Sequence, residues 1–151
     1  MKVVFASDHR GYLLKRNLKE LLDDMKIETL DLGTFSTDSV DYPDFAIPAA
    51  EKVSKGEYDR GILLCGSGIG MCIVANKFPR VRAALVRDVY TAEMSRKHND
   101  SNILVLGADL VSDALAQDIV KIWIKTDFEG GRHLRRIEKI RHIEEHLAKG
   151  A

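Results

Sequence analysis

Cys65 and Ser67 stand two residues apart in Leu63-Leu64-Cys65-Gly66-Ser67-Gly68-Ile69-Gly70-Met71, where an apolar run gives way to a glycine-rich turn. A thiol at the mouth of such a turn can work as a base or a nucleophile. Backbone N–H groups at the start of the helix that follows can hold an anion, and would stabilise negative charge as an oxyanion hole does. The competing reading is packing. A cysteine after two leucines is often a core residue, and Ser67 can simply cap a helix that opens at Ile69. Cys72 falls inside that helix and reads as core.

The turn is only superficially like a dinucleotide fingerprint, because its glycines follow the third apolar run and lack the required spacing. A small anion, a phosphate or an enediolate, suits it better. Asp8-His9 closes the first apolar run and offers a carboxylate and an imidazole for orienting groups or exchanging protons. The plainer reading is a helix cap at Asp8 with a solvated histidine. His98-Asn99-Asp100 follows the fourth helical stretch and is expected on the same rim as Cys65.

Arg132 and Arg136 are four apart on the last helical stretch, with Arg135 beside them. Cations at a helix start oppose the dipole preference, so a phosphate held between them would offset that cost. Otherwise they form a solvated basic face paired with Glu129 or Glu138. Arg10 and Arg87 are separate, weaker candidates. His133, His142 and His146 read as surface residues without partners at metal-ligand spacing, so no metal is expected. Asp38, Asp41 and Asp44 surround Tyr42-Pro43 and read as helix capping, and Tyr42 could wall a ligand.

These groups need a scaffold that gathers strand ends. Five short apolar runs supply it: Lys2 to Ala6, Ile27 to Leu32, Ile62 to Leu64 (starting near Arg60), Val81 to Val86 and Ile103 to Leu106. Each is rich in Val, Ile or Leu, as strands covered on both faces are. Helical periods fill the gaps over Tyr12–Met25, Tyr42–Lys55, Ile69–Asn76, Val89–His98 and Ser112–Lys125. Repeated βαβ units predict a three-layer αβα sandwich around a five-stranded parallel, Rossmann-like sheet, with ligands at the carboxyl ends of the strands. Gly130-Gly131 then breaks the pattern, and Arg132 to Lys149 reads as an extended C-terminal helix with a narrow apolar stripe at Ile137, Ile140 and Ile143.

The chain has 151 residues, enough for one domain with a real core. Lys plus Arg and Asp plus Glu both number 23, so bulk charge gives no pull toward nucleic acid or an anionic membrane. No stretch approaches a transmembrane span. Two cysteines make no disulfide framework and suit reduced thiols. The opening run before Ser7 is too short for a signal peptide, so the cytoplasm is expected.

Six motifs now stand together: Ser7-Asp8-His9, Asp41-Tyr42-Pro43, Cys65-Gly66-Ser67-Gly68-Ile69-Gly70, Ala75-Asn76-Lys77, Ser95-Arg96-Lys97-His98-Asn99-Asp100 and Gly130-Gly131-Arg132-His133. In these the chain resembles the type B ribose-5-phosphate isomerases, within the wider group that includes galactose-6-phosphate isomerase subunits. The resemblance runs from Lys2 to about Ile143. It implies one sugar-phosphate isomerase domain over 1–151, with 130–151 packing on a partner subunit. It also implies aldose–ketose isomerisation of ribose 5-phosphate without cofactor or metal.

By that resemblance Cys65 is the base that moves a proton between C2 and C1. Ser67, usually threonine in cysteine-type relatives, assists the substrate oxygens. The backbone of Gly66, Gly68, Ile69 and Gly70 holds the cis-enediolate. Asp8 and Tyr42 bind hydroxyls or position the reacting end. His98 assists ring opening, Asn99 binds hydroxyls or the developing oxyanion, and His9, Arg132 and Arg136 hold the phosphate. Another branch places a glutamate base where Met71 stands, and methionine cannot take a proton. The resemblance further implies a homodimer or homotetramer whose sites are shared between subunits.

Two positions depart from the pattern. Many relatives carry an arginine where Asp109 stands in Gly107-Ala108-Asp109, so Asp109 is expected to point away from a phosphate or to read a hydroxyl. Val86-Arg87-Asp88 is closer to the galactose-phosphate subunits. A six-carbon substrate such as allose 6-phosphate, or a non-catalytic sugar-phosphate-binding subunit, is the alternative.

Overall fold

The structure is a computed structural model that describes residues 1–150. Strands β1 (Lys2–Ser7), β2 (Glu28–Asp31), β3 (Arg60–Cys65), β4 (Ala83–Leu85) and β5 (Ile103–Gly107) form one parallel sheet in the order β2-β1-β3-β5-β4. Helices α1 (Tyr12–Asp24), α2 (Tyr42–Ser54), α3 (Ile69–Ala75), α4 (Val89–Lys97) and α5 (Asp113–Lys125) connect the strands, and α6 (Arg132–Gly150) closes the chain. The three-layer sandwich expected from the sequence is the fold observed.

Side chains alternate across each central strand, which is what divides the core into two layers. Val3, Phe5, Ile62, Leu64, Leu104 and Leu106 meet α1, α4 and α5 on one face. Val4, Ala6, Leu63, Cys65, Ile103 and Val105 meet α2 and α3 on the other. Helix α1 contributes Leu14, Leu18 and Leu22, a row spaced by four that is buried throughout. Each such leucine stabilises the fold by about 1.5–3 kcal/mol.

Helix α1 lies on one face and α2 on the other, so the chain reverses direction between β1 and β3. That reversal opens a crevice at their carboxyl ends. Ser7 pairs with Leu64 in register, and the Asp8 N–H donates to the Leu64 carbonyl at 3.1 Å. Asp8 and Cys65 therefore leave adjacent strands side by side.

Edge strand β4 is shorter than its apolar run suggests, because Arg82 turns its N–H to the Asn102 side chain at 2.7 Å. Its outer backbone is met by α3: the Asn76 amide donates to the Ala83 carbonyl at 3.0 Å and accepts from the Ala83 N–H at 2.9 Å. Helix α6 is attached differently. Only His133 and Ile137 are buried, while Ile143 and Leu147 are 60% and 67% exposed. No helix among the described residues is long and apolar enough to cross a membrane.

Candidate active site

The crevice between β1 and β3 is an open cleft of about 360 Å³ lined by Asp8, Arg10, Tyr42, Cys65, Gly66, Ser67, Gly70 and Asp109. Strand β3 delivers Cys65 at its last residue, and the thiol accepts a hydrogen bond from the Gly68 N–H at 3.2 Å. Gly68 makes that turn with φ +79°, a left-handed conformation costly for other residues, and a Cβ there would lie 2.5 Å from Leu85. Ser67 does cap α3 in part, accepting from the Ile69 N–H at 3.2 Å, although Gly68 holds the N-cap position. The N–H groups of Gly68 and Ile69 are thus engaged with the thiol and the hydroxyl, leaving Gly66, Ser67 and Gly70 to line the cleft.

Tyr42, at the start of α2, lies against Gly70 so closely that a Cβ there would be 2.5 Å from its ring. Asp8 is not the helix cap, since Gly11 holds the N-cap position of α1; its Oδ1 instead closes the turn ahead of the helix, accepting from the N–H groups of Arg10 and Gly11 at 2.9 and 3.1 Å. His9 stands beside it, and its Nδ1 accepts from the Val40 N–H at 3.2 Å. Asp41 occupies the α2 N-cap position, but its side chain makes no capping bond there. Met71 is fully buried. Burial pushes the Cys72 thiol above its ordinary value, in keeping with a packing role.

His98, Asn99 and Asp100 do not share this rim. Helix α4 runs antiparallel to the strands, so its C-terminal end returns to the amino edge of the sheet. There the Arg82 Nε donates to the carbonyls of Asn99 and Asp100 at 3.0 and 3.1 Å, just ahead of β4. Arg132 and Arg136 open α6 on the same side, and neither they nor Arg135 form an ion pair among the described residues. Glu138 instead pairs with Arg141 at 2.6 Å, and Glu129 faces His133.

His133 is buried, not on the surface as its sequence position suggested. It is 4% exposed, and its ring stacks on His98 with centroids 4.2 Å apart and planes 11° from parallel. Its Nε2 lies 3.7 Å from Glu129 and has no hydrogen bond. Burial pushes this imidazole below its ordinary value, and the charges of His98 and Arg132 push the same way. His98, Glu129 and His133 thus form a cluster of ligand-type groups. One donor atom from each lies within 4.8 Å of the others, a grouping that the sequence reading, which gave His133 no partner at metal-ligand spacing, did not anticipate.

This edge is braced by buried arginines. Arg60 stands over Trp123, 5.1 Å from the ring, and donates to the carbonyls of Trp123 and Ile124 at 2.8 and 2.9 Å. Burial, and repulsion from Arg96, lower its pKa to about 10. Arg96 donates to Asp100 and to the Ser101 carbonyl. The carboxyl edge has a counterpart that the sequence did not signal. Lys15 is fully buried, with its ammonium 2.5 Å from Asp31 and 2.7 Å from the Thr34 carbonyl. Burial lowers its pKa while Asp31 opposes that shift. A larger cleft of about 570 Å³, between α6 and the Arg80–Arg82 segment, contains no cysteine or histidine.

Residues 3–140 match the Ribose/Galactose Isomerase family. The chain is 43% identical over 144 residues to the ribose-5-phosphate isomerase B of Escherichia coli, covering 95% of this chain and 97% of that one. The solved ribose-5-phosphate isomerase B of Clostridium thermocellum superposes with a TM-score of 0.95 at 50% identity, over 97% of this chain and 99% of that one. That of Mycoplasma genitalium, determined with bound ribulose-5-phosphate, superposes at 0.92 with 43% identity, over 95% and 96% of the two chains. The cysteine turn, the sheet that presents it and these likenesses place the chain in the ribose/galactose isomerase family.

Proposed function

We propose that the chain isomerises ribose 5-phosphate and ribulose 5-phosphate, with Cys65 as the base. The observation that carries this reading is the thiol at the carboxyl end of β3, bonded by the Gly68 N–H and flanked by Asp8, Ser67 and Tyr42 in one cleft. In the open-chain aldose, the Cys65 thiolate takes the C2 proton while the carbonyl oxygen at C1 gains negative charge. The resulting cis-enediolate is held by the turn from Gly66 to Gly70, with Ser67 donating to its oxygens. The C2 hydroxyl proton passes to the C1 oxygen, Cys65 returns its proton to C1, and the carbonyl re-forms at C2 to give the ketose. Donors fixed where charge develops lower the barrier more than they favour the bound aldose.

The groups for the other tasks lie at the opposite edge of the sheet. His98 would assist ring opening, Asn99 would meet substrate hydroxyls, and Arg132 and Arg136 would hold the phosphate together with His9, which belongs to the carboxyl edge beside Asp8. One copy cannot bring them to its own Cys65, so the active form is a homodimer, or a pair of dimers, that joins the carboxyl edge of one subunit to the amino edge of another. The exposed stripe of Ile140, Ile143 and Leu147 borders a groove of about 530 Å³ beside β4, which offers apolar surface for that contact.

The test is an isomerisation assay of the purified chain alone, without added metal, on ribose 5-phosphate and allose 6-phosphate in parallel. Turnover of the pentose should dominate, and Cys65→Ala should lower it by about 10²–10⁴-fold, the range expected for losing a general base. Dominant hexose turnover would move the substrate within the family. Cys65→Ala with unchanged turnover would remove the thiol from the mechanism.

A further inference from the structure

Among the residues that line the Cys65 cleft, Arg10 is the one cation, and it faces two carboxylates, Asp8 and Asp109. It is paired with Asp109 through Nη2 and Oδ2. The pair lies over the catalytic turn: a Cβ on Gly66 would be 2.9 Å from both Arg10 Nε and Asp109 Oδ2. Both partners hang from the catalytic strands. The Arg10 N–H donates to Asp8 at 2.9 Å, the Asp109 N–H to the Gly66 carbonyl at 3.1 Å, and the Ala108 N–H to the Cys65 carbonyl at 2.8 Å. The two side chains are 59% and 44% exposed, so the pair adds little to stability. Its placement, rather than its strength, needs a reason.

We propose that Arg10 and Asp109 are a specificity-determining pair, in which Asp109 competes with the anionic group of the substrate for Arg10. The inference rests on the sugar-phosphate reading of the cleft. A phosphate carries more charge and more acceptor oxygens than a carboxylate and can accept two parallel bonds from a guanidinium. It therefore displaces Asp109, whose freed carboxylate turns to hydroxyls. With Arg10 bound to Asp109, an uncharged sugar meets no free cation among the residues this subunit itself places around Cys65. With Arg10 removed, an anion meets two unopposed carboxylates.

The experiment measures ribose 5-phosphate kinetics and calorimetric binding of inorganic phosphate for the unmodified chain, Asp109→Asn, Arg10→Met, Arg10→Lys and the Asp109→Asn/Arg10→Met double variant. Asp109→Asn should lower KM and tighten phosphate binding by about three- to tenfold, the span of a coupling near 1 kcal/mol. Arg10→Met should weaken both by at least as much, Arg10→Lys should restore part of the loss, and the double variant should behave as Arg10→Met alone. In all of them kcat should stay within about twofold, because the interaction is the same in ground and transition states. An active enzyme whose KM and phosphate affinity ignore these changes, or whose kcat falls while KM holds, overturns the pair's role. A chain that binds phosphate in the expected order but isomerises nothing overturns the isomerase reading and leaves the pair standing.

Discussion

The two edges of the sheet are held together on different terms. At the amino edge, Arg60 and Arg96 are buried and satisfied by backbone carbonyls, and Trp123 donates to Ser101 at 2.8 Å beneath them. The buried arginines there are satisfied, while Arg132, Arg135 and Arg136 above them form no ion pair among the described residues. At the carboxyl edge a glycine turn, a thiol, a hydroxyl and two carboxylates border an open cleft. The first arrangement makes a rigid platform for His98 and the start of α6. The second leaves donors and acceptors for a ligand. On the proposed reading the chemistry is split between these edges, and two copies would each lend the other what its own topology keeps apart.

The sharpest way to break this comparison is subunit mixing. Cys65→Ala and His98→Gln are each expected to be inactive alone. After subunit exchange in an equal mixture, about one quarter of the original activity should return, since half of the dimers are mixed and each holds one intact site. No recovery in dimers shown by mass spectrometry to be mixed would place both residues' work within a single chain.

A smaller effect, on stability alone, concerns the carboxyl edge. Lys15→Met removes the ammonium and leaves Asp31, whose side chain is only 16% exposed, without its partner. Breaking a buried pair this way costs about 3–5 kcal/mol, measurable by urea unfolding. A loss below about 1 kcal/mol would show that this edge is not pinned by one charge.

The smallest effect is the pH dependence carried by His133. Its folded-state pKa lies below the ordinary value of about 6.5. The unfolded chain therefore binds more protons in the window between the two values, and stability rises with pH there. Stability should be full above about pH 6.5 and decline as pH falls through the folded-state value. His133→Asn should flatten that decline in thermal scans taken between pH 5 and 7, and an unchanged slope would assign it to other groups.

Much of the architecture was legible because periodicity is local. Each strand was found within two residues; β4 begins two residues late because the Val81 N–H turns to the Phe78 carbonyl and the Arg82 N–H to the Asn102 side chain. The carboxyl half of the site was legible for a related reason: Asp8 and Cys65 end their strands, and parallel strands end together. His98 was misplaced because closeness to a strand in sequence does not say which edge a helix returns to. His133 and Lys15 were missed because their burial depends on α4 and β2, elements distant in the chain. Arg10 and Asp109 lie 99 residues apart, and nothing in either neighbourhood announces the other.

The Asn76 side chain, spread along Ala83, acts as a one-residue imitation of a neighbouring strand. It occupies backbone groups that would otherwise template main-chain addition at that edge. Growth of the sheet from one copy into the next is thereby blocked on the β4 side, without the proline or charged side chain that often does this. Copies of the chain can join there only through side chains and helices. Contacts of that kind can close into a finite assembly, whereas strand addition would propagate into fibres.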